Sequence, residues 1–214
     1  MKEINFIITC FDKEAYWPYL KEIINSYKNI KSNIILCYNG ANQNFKKEAN
    51  IFIENTGHQH GEASLILKGF EYAQQNFKSP LFIKLSIDSW LLNENIILDI
   101  FKYMDTNHIC YAGNYWNTLQ QLSVDIFFIN KNNGNFLESF KEQAHNIENL
   151  KNGSSALENI LFDSISSKQY KFTIIKDRDP IHPNNRFCCP QLGWTMSHEL
   201  QENLNFMKFY ENIN

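Results

Sequence analysis

The sequence predicts an α/β protein in which one mostly parallel sheet lies between two layers of helices. Short apolar runs bounded by turn formers alternate with longer segments whose apolar residues recur every three or four positions. The order strand-helix-strand-strand-helix-strand at the start of the chain favours parallel strands joined by right-handed crossovers. The 214 residues are enough for a three-layer, Rossmann-like fold with a substantial core, so we expect a single domain over residues 1–214.

The individual elements follow from the same patterns. Strands are expected at residues 4–9, 33–38, 51–54, 81–87, 108–112, 124–130 and 171–175. Helices are expected at residues 13–27, 63–77, 93–104, 136–150, 156–166 and 197–210, the last with Ser197 as its N-cap. The helix at 63–77 has its apolar side chains on one face, and Ser79-Pro80 ends it before the next strand.

The composition argues against several classes of function. Twenty basic and 23 acidic residues give a net charge of −3, so no general attraction to nucleic acid is expected. We expect no secretory signal and no membrane span, because no apolar run reaches about 18 residues, although peripheral membrane association stays open. The five cysteines are scattered and lack metal-site spacing, which favours reduced thiols in a cytoplasmic protein. No Gly-x-Gly-x-x-Gly motif follows the first strand, which argues against a dinucleotide-binding dehydrogenase.

The stretch from residue 55 to residue 90 carries the strongest functional signal. Asp88 stands where the strand at 81–87 ends, at the edge of an open α/β sheet where ligands bind. Before it come an asparagine, a loop with two glycines, and a helix with further small residues: Asn55, Gly57, Gly61, Ala63, Gly69 and Ala73. With the triplet Ser86-Ile87-Asp88, this spacing resembles the nucleotide-sugar glycosyltransferases of the GT-A fold, in particular inverting enzymes of the family 2 type. The resemblance departs at Ser86, which stands in place of the first acid of their Asp-x-Asp motif.

The resemblance implies a donor site at the carboxyl edge of the sheet. It assigns residues 1–90 to the nucleotide and residues 91–214 to the donor sugar and the acceptor. The residues that it implies for nucleotide binding are Thr9, Phe11, Asp12, Asn39, Asn55, Gly61, Ser86 and Asp88. Asn39 replaces an acid that often follows the second strand, so the identity of the base stays open. Lys84 could reach a phosphate or could be a surface lysine.

The resemblance also implies a divalent cation, Mn²⁺ or Mg²⁺, which neutralises the charge on the leaving diphosphate. Asp88 is expected to be one ligand, and a histidine of the C-terminal segment, His182, is expected to be another. His198 is a weaker rival because a place in the closing helix would expose it, and His58 and His60 are more typical of polar donors in a loop. Asp88 could instead cap a turn, and His182 could be an ordinary loop histidine.

An inverting transfer needs a general base that takes the proton of the acceptor hydroxyl. The resemblance implies an acid at a helix N-terminus facing the donor, which is matched by Glu158, with Asp125 and Asp163 as alternatives. Each of these could instead be a solvated helix carboxylate. Three tryptophans could stack on sugar rings or pack in the core: Trp90, Trp116 and Trp194.

The resemblance implies a glycosyltransferase that moves a hexosyl or N-acetylhexosaminyl group from a UDP- or GDP-sugar to a carbohydrate or lipid-linked acceptor. It also implies a role in bacterial surface-polysaccharide synthesis, which the composition would suit. One alternative is a binding module that keeps the fold without turnover, which Ser86 favours. A sugar nucleotidyltransferase is less favoured, because the loop at residues 10–14 has no glycine and only one lysine with which to bind a triphosphate.

Overall fold

The structure is a computed structural model, and it describes residues 1–54, 58–116, 121–143, 146–147, 157–178 and 187–213. Its strands are β1 (Lys2–Cys10), β2 (Ile30–Tyr38), β3 (Ile51–Phe52), β4 (Leu81–Ser86), β5 (Ser89–Leu91), β6 (Tyr111–Trp116), β7 (Gln121–Asn130), β8 (Phe172–Arg178), β9 (Phe187–Cys189) and β10 (Trp194–Met196). Its helices are α1 (Trp17–Ser26), α2 (His58–Asn76), α3 (Glu94–Asn107), α4 (Phe136–Glu142), α5 (Leu157–Ser166) and α6 (Leu200–Ile213).

The larger sheet has the strand order β3-β2-β1-β4-β7-β6-β8. β7 is antiparallel to both of its neighbours, and the other strands run in one direction. From β1 the chain builds outward through β2 and β3, and then crosses to β4 on the other side of β1. The strand order therefore reverses between β1 and β4, and the crevice at the carboxyl ends of such strands is where open α/β sheets bind ligands.

Helices cover both faces of this sheet. α1 and α3 pack on one face, and α2, α4 and α5 pack on the other. α3 shows how local sequence sets the ends of a helix. The Asn93 side chain accepts a hydrogen bond from the backbone N–H of Asn95 at 3.0 Å, and His108 ends the helix in the left-handed region with φ 55°. Among the described residues, no helix combines the length and the apolar character that a membrane span requires.

The smaller sheet is antiparallel, with the order β5-β10-β9. It joins the C-terminal part of the chain to the turn at Ile87-Asp88, because β5 begins directly after that turn. Trp90 and Trp194 are 0% and 1% exposed. For these two tryptophans the core-packing alternative is correct, and they are not available to stack on a sugar. The side chain of Trp116 lies outside the described part of the chain.

The predicted three-layer α/β/α architecture and the mostly parallel sheet are confirmed. Each strand of the larger sheet corresponds to an expected strand, although the bounds differ by a few residues. The first helix begins later than expected, because a single 3-10 turn at Glu14–Tyr16 precedes α1 and Lys13 lies outside both. The closing helix likewise begins at Leu200. The smaller sheet was not expected, because three-residue strands are too short to give a recognisable pattern.

Candidate functional site

The carboxyl ends of β1, β2 and β4 bring several of the expected nucleotide-binding residues to one crevice. Thr9 of β1 is paired in register with Ser86 of β4. Asn39 follows directly after β2, and Asp88 lies in the turn after β4. The backbone N–H of Ile87 donates to the carbonyl of Thr9 at 2.9 Å, which extends the strand pairing almost to Asp88.

Asp88 lies at the centre of this crevice and is only 3% exposed. Its Oδ2 accepts a hydrogen bond from Lys13 Nζ at 2.5 Å and lies 2.9 Å from His198 Nδ1. Burial alone would raise the pKa of Asp88, but the hydrogen bond with His198 and the charge of Lys13 outweigh it and hold that pKa below its usual value. Asp88 is therefore an ionised, paired carboxylate and does more than cap a turn.

The smaller sheet explains how His198 reaches Asp88. β10 pairs with β5 so that Met196 lies opposite Ser89. Continuing this antiparallel register beyond the strand ends brings the residues after Met196 to Asp88. Asn203 of α6 also links the C-terminal part of the chain to this turn, since its Nδ2 donates to the backbone carbonyl of Asp88 at 2.8 Å. The side chain of His198 remains 38% exposed.

Lys13 joins this pair from the loop after β1. Asp12, just before it, has φ 50°, a left-handed conformation that aspartate tolerates better than most residues. The carbonyl of Lys13 accepts from the backbone N–H of Tyr16 at 3.1 Å, which fixes the lysine at the start of the 3-10 turn. Lys13 Nζ contacts His198 Nδ1 as well as Asp88. That nitrogen can donate to Asp88 or accept from Lys13, but it cannot do both in one tautomer.

A second ion pair lies at the same edge, on the side of the sheet that α2 covers. Lys84 Nζ donates to Glu62 Oε1 at 2.5 Å, to the Ser86 hydroxyl at 2.9 Å and to the carbonyl of Val124 at 2.5 Å. Lys84 is fully buried, and Glu62 is 13% exposed. Thr9 Oγ1 donates to the same Glu62 oxygen at 3.2 Å. Of the two alternatives for Lys84, the surface lysine is wrong, and its ammonium is occupied inside the protein.

Asn39 lies beyond the end of β2 with a buried side-chain amide. The residue is 1% exposed, and among the described residues neither its Nδ2 nor its Oδ1 has a hydrogen-bond partner. A Cβ added to Gly61 would lie 1.9 Å from that Nδ2, so any larger residue at position 61 would displace the Asn39 amide. An unpaired buried amide costs stability. Its donor and acceptor are therefore suited to a ligand that supplies the missing partners.

The side chains around Asp88 do not fit a divalent cation in the arrangement that they adopt. Such an ion would take Asp88 Oδ2 and His198 Nδ1 as ligands, and the Lys13 ammonium already contacts both atoms. In the part of the chain that the structure describes, no three His, Cys, Asp or Glu side chains are grouped closely enough to hold a metal ion. His182 lies outside those residues, so a site that includes it stays a prediction.

Two of the expected general-base residues come to the same edge of the sheet. Asp125 lies on β7 beside the residue that pairs with Leu85 of β4, and its Oδ2 accepts from the Ser123 hydroxyl at 2.8 Å. Glu158 lies in the first turn of α5. The strand β8 runs in the same direction as β4, and α5 leads into the amino end of β8. The N-terminus of α5 therefore lies at the carboxyl edge of the sheet. Asp163 is exposed further along α5. The choice among these acids stays a prediction.

The remaining expected nucleotide-binding residues are less informative. Phe11 is half-buried and Asp12 is exposed, both in the loop after β1. Asn55 lies outside the described residues, so its role also stays a prediction. His60, at the start of α2, is buried.

Sequence reasoning missed two charged residues of the site, Lys13 and Glu62. It placed His198 below His182 as a metal ligand, and that ranking stays a prediction because His182 lies outside the described residues. The signal for Glu62 was present, because a lysine in the middle of an apolar strand, such as Lys84, needs a buried carboxylate as partner. No comparable local signal exists for Lys13 or His198.

Comparison with known proteins bears on the fold. No protein-family profile and no curated protein matches the sequence. A structure described as a nucleotide-diphospho-sugar transferase from Desulfovibrio desulfuricans G20 matches with TM-score 0.52 and 8% identity, over 83% of this chain and 81% of that one. A glycosyltransferase involved in the glycosylation of the major capsid of PBCV-1 matches with TM-score 0.53 and 14% identity, over 85% and 84% of the two chains.

A third solved structure is a mannosyltransferase from Pyrobaculum calidifontis in complex with GDP-Man and Mn²⁺. It matches with TM-score 0.52 and 7% identity over 81% of this chain. This chain covers 54% of that protein, so it spans about half of its length. At these identities the likeness concerns the fold. The chain therefore has a GT-A-like fold, the fold of nucleotide-diphospho-sugar transferases.

Proposed function

We propose that this protein is a glycosyltransferase that uses a nucleotide-diphospho-sugar as donor. The observation that carries the proposal is the convergence of buried, ionised Asp88 with Lys13 and His198 at the switch point of a GT-A-like sheet. These three residues come from distant parts of the chain. Interacting charged groups with a shifted pKa, held in a crevice, are typical of functional sites.

The nucleotide would bind across the carboxyl ends of β1 and β2, so residues 1–90 would form its half of the site. The unpaired amide of Asn39 supports this assignment, because it offers one donor and one acceptor to a base or ribose. The diphosphate would lie over Asp88 and Lys13. Residues 91–214 would then hold the donor sugar and the acceptor.

Transfer breaks the bond between the anomeric carbon of the sugar and the diphosphate oxygen, while the acceptor hydroxyl attacks that carbon. Negative charge develops on the leaving diphosphate, and a fixed positive charge at that point lowers the barrier. The proton of the acceptor hydroxyl passes to a carboxylate, for which Glu158 and Asp125 are the candidates. The sequence-based prediction for the positive charge is Mn²⁺ or Mg²⁺, and the Pyrobaculum neighbour is a complex with Mn²⁺.

The finer assignments belong to the same proposal. The transferred group would be a hexosyl or N-acetylhexosaminyl group, the acceptor a carbohydrate or a lipid-linked glycan, and the role bacterial surface-polysaccharide synthesis. A cytoplasmic location is supported by the cysteines Cys10, Cys37 and Cys110, which are free and buried.

Calorimetric titration tests this function. UDP, GDP and their hexose and N-acetylhexosamine conjugates are titrated into the full chain, once with EDTA and once with Mn²⁺. We expect one nucleotide and its sugar conjugate to bind in the micromolar-to-millimolar range that is typical of substrates. Failure of every nucleotide to bind at millimolar concentration, in both buffers, would contradict the proposal.

A binding module without turnover is the rival that Ser86 favours, since that residue supplies no carboxylate. The rival predicts nucleotide binding without release of nucleotide from the donor sugar. Nucleotide release, measured with water or a carbohydrate as acceptor, separates the two functions. Formation of pyrophosphate from a nucleoside triphosphate and a sugar phosphate would instead identify a nucleotidyltransferase.

A further inference from the structure

The charges at the crevice suggest which group neutralises the donor diphosphate. We propose that the ammonium of Lys13 supplies this positive charge and that the protein binds its nucleotide without a divalent cation. The inference rests on the proposed function, because it concerns the donor of that reaction.

The first observation is the place that Lys13 occupies. Asp88 Oδ2 and His198 Nδ1 lie 2.9 Å apart, and Lys13 Nζ contacts both atoms, at 2.5 Å from the carboxylate oxygen. A metal ion shared by this carboxylate and imidazole would need the same position. With the Lys13 ammonium in place, Asp88 is 3% exposed and has a positive charge at hydrogen-bond distance.

The second observation is that Glu62, another acid at this edge of the sheet, also has its own lysine. Glu62 is paired with Lys84 at 2.5 Å, and Ser86 is hydrogen-bonded to the same ammonium. Neither Glu62 nor Ser86 is therefore free to act as a second oxygen ligand beside Asp88. Divalent cations are bound mainly through carboxylate oxygens, and the carboxylates of Asp88 and Glu62 each already have a lysine ammonium at hydrogen-bond distance.

The two lysines differ in what they can offer to a substrate. An ammonium has three N–H donors. Lys84 uses all three, on Glu62, Ser86 and the carbonyl of Val124, and it is fully buried. Lys13 has two contacts among the described residues, and its side chain is 28% exposed. One N–H of Lys13 therefore remains for an anionic oxygen of the donor, without breaking the pair with Asp88.

Metal dependence of nucleotide binding tests the proposal directly. UDP and GDP are titrated into the parent protein in EDTA and in Mn²⁺, and we expect the two affinities to agree within error. In Lys13→Met, which keeps the length of the side chain, affinity in EDTA should fall at least about tenfold, the value of one charge-assisted hydrogen bond. Lys13→Arg keeps the charge and should retain metal-free binding. Lys168→Met is the control, because Lys168 pairs with Glu142 on the surface before β8, and it should behave as the parent.

Mn²⁺ binding without nucleotide provides a readout that does not depend on activity. Electron paramagnetic resonance of free Mn²⁺ should show no uptake by the parent and measurable uptake by Lys13→Met, because Asp88 and His198 are then uncovered. Nucleotide binding by the parent only with Mn²⁺ would overturn this inference and leave the proposed function intact. Unchanged affinity of a folded Lys13→Met in EDTA would also overturn it. Absence of nucleotide binding in both buffers would overturn both proposals.

Discussion

Removing one partner of the buried Lys84–Glu62 pair should destabilise the fold far more than removing both. Lys84 is fully buried, and the Glu62 carboxylate is one of three acceptors for its ammonium. In Lys84→Met this carboxylate loses its cation inside the protein, and breaking a buried pair in this way costs about 3–5 kcal/mol. For a chain of this size each kcal/mol lowers Tm by about 2–4 °C, so Tm should fall by roughly 6–20 °C.

The double variant Lys84→Met/Glu62→Gln removes both charges, and such replacements are often close to neutral. We expect it to be more stable than Lys84→Met, with a coupling energy of up to about 3 kcal/mol between the two positions. Urea unfolding of the parent, both single variants and the double variant gives the four free energies. The surface pair Lys168–Glu142, with side chains 40% and 50% exposed, is the control and should show little coupling. Additive losses at Lys84 and Glu62 would refute the reasoning.

Two further substitutions test the site and the packing behind it. In Asp88→Asn the Lys13 ammonium loses its carboxylate, so the free energy of unfolding at neutral pH should fall by about 1–3 kcal/mol. Because folding lowers the pKa of Asp88, its stabilisation is present above the unfolded pKa and is lost as the pH falls through the folded one. The difference in Tm between parent and variant should therefore shrink below about pH 4, and a constant difference would contradict this assignment. In Gly69→Ala the new Cβ would lie 2.6 Å from Ile7 Cγ2 and 2.7 Å from Cys37 Sγ. The overpacking of about 1–3 kcal/mol should exceed the gain in helix propensity of about 1 kcal/mol, so a Tm equal to or above that of the parent would refute the packing of α2 on the sheet.

The larger sheet could be predicted because its strands, and the helices between them, each show a local pattern of apolar residues in the sequence. The run from Leu81 to Ser86 is apolar and ends at a turn, and the helix before it repeats its apolar residues at helical spacing. The position of Asp88 at the strand end, and so at the edge where open α/β sheets bind ligands, followed from this pattern. These inferences needed only neighbouring residues and the handedness of crossovers.

The partners of Asp88 could not be predicted in the same way. His198 reaches it through the pairing of β10 with β5, two strands of three residues each and about a hundred residues apart in the chain. Lys13 reaches it because Asp12 turns the chain after β1. For Lys84, in the middle of the apolar strand β4, the sequence indicated the need for a buried carboxylate, but it did not show which acid would supply it.

Ser86 is best understood together with the charges around it. Asp88 and Glu62 carry two negative charges at the crevice, and Lys13 and Lys84 carry two positive ones. An acid at position 86 would be a second carboxylate beside Lys84, after Glu62. Its negative charge would have no lysine of its own and would need a bound cation. A serine adds only a hydroxyl, which accepts one of the three N–H donors of Lys84 at 2.9 Å. In the sequence Ser86 resembles a lost metal ligand. In the structure it is a hydrogen-bond acceptor for the buried Lys84. Asp88 and Glu62 are thus each paired with a lysine, and the N–H of Lys13 that has no partner among the described residues remains for the donor diphosphate.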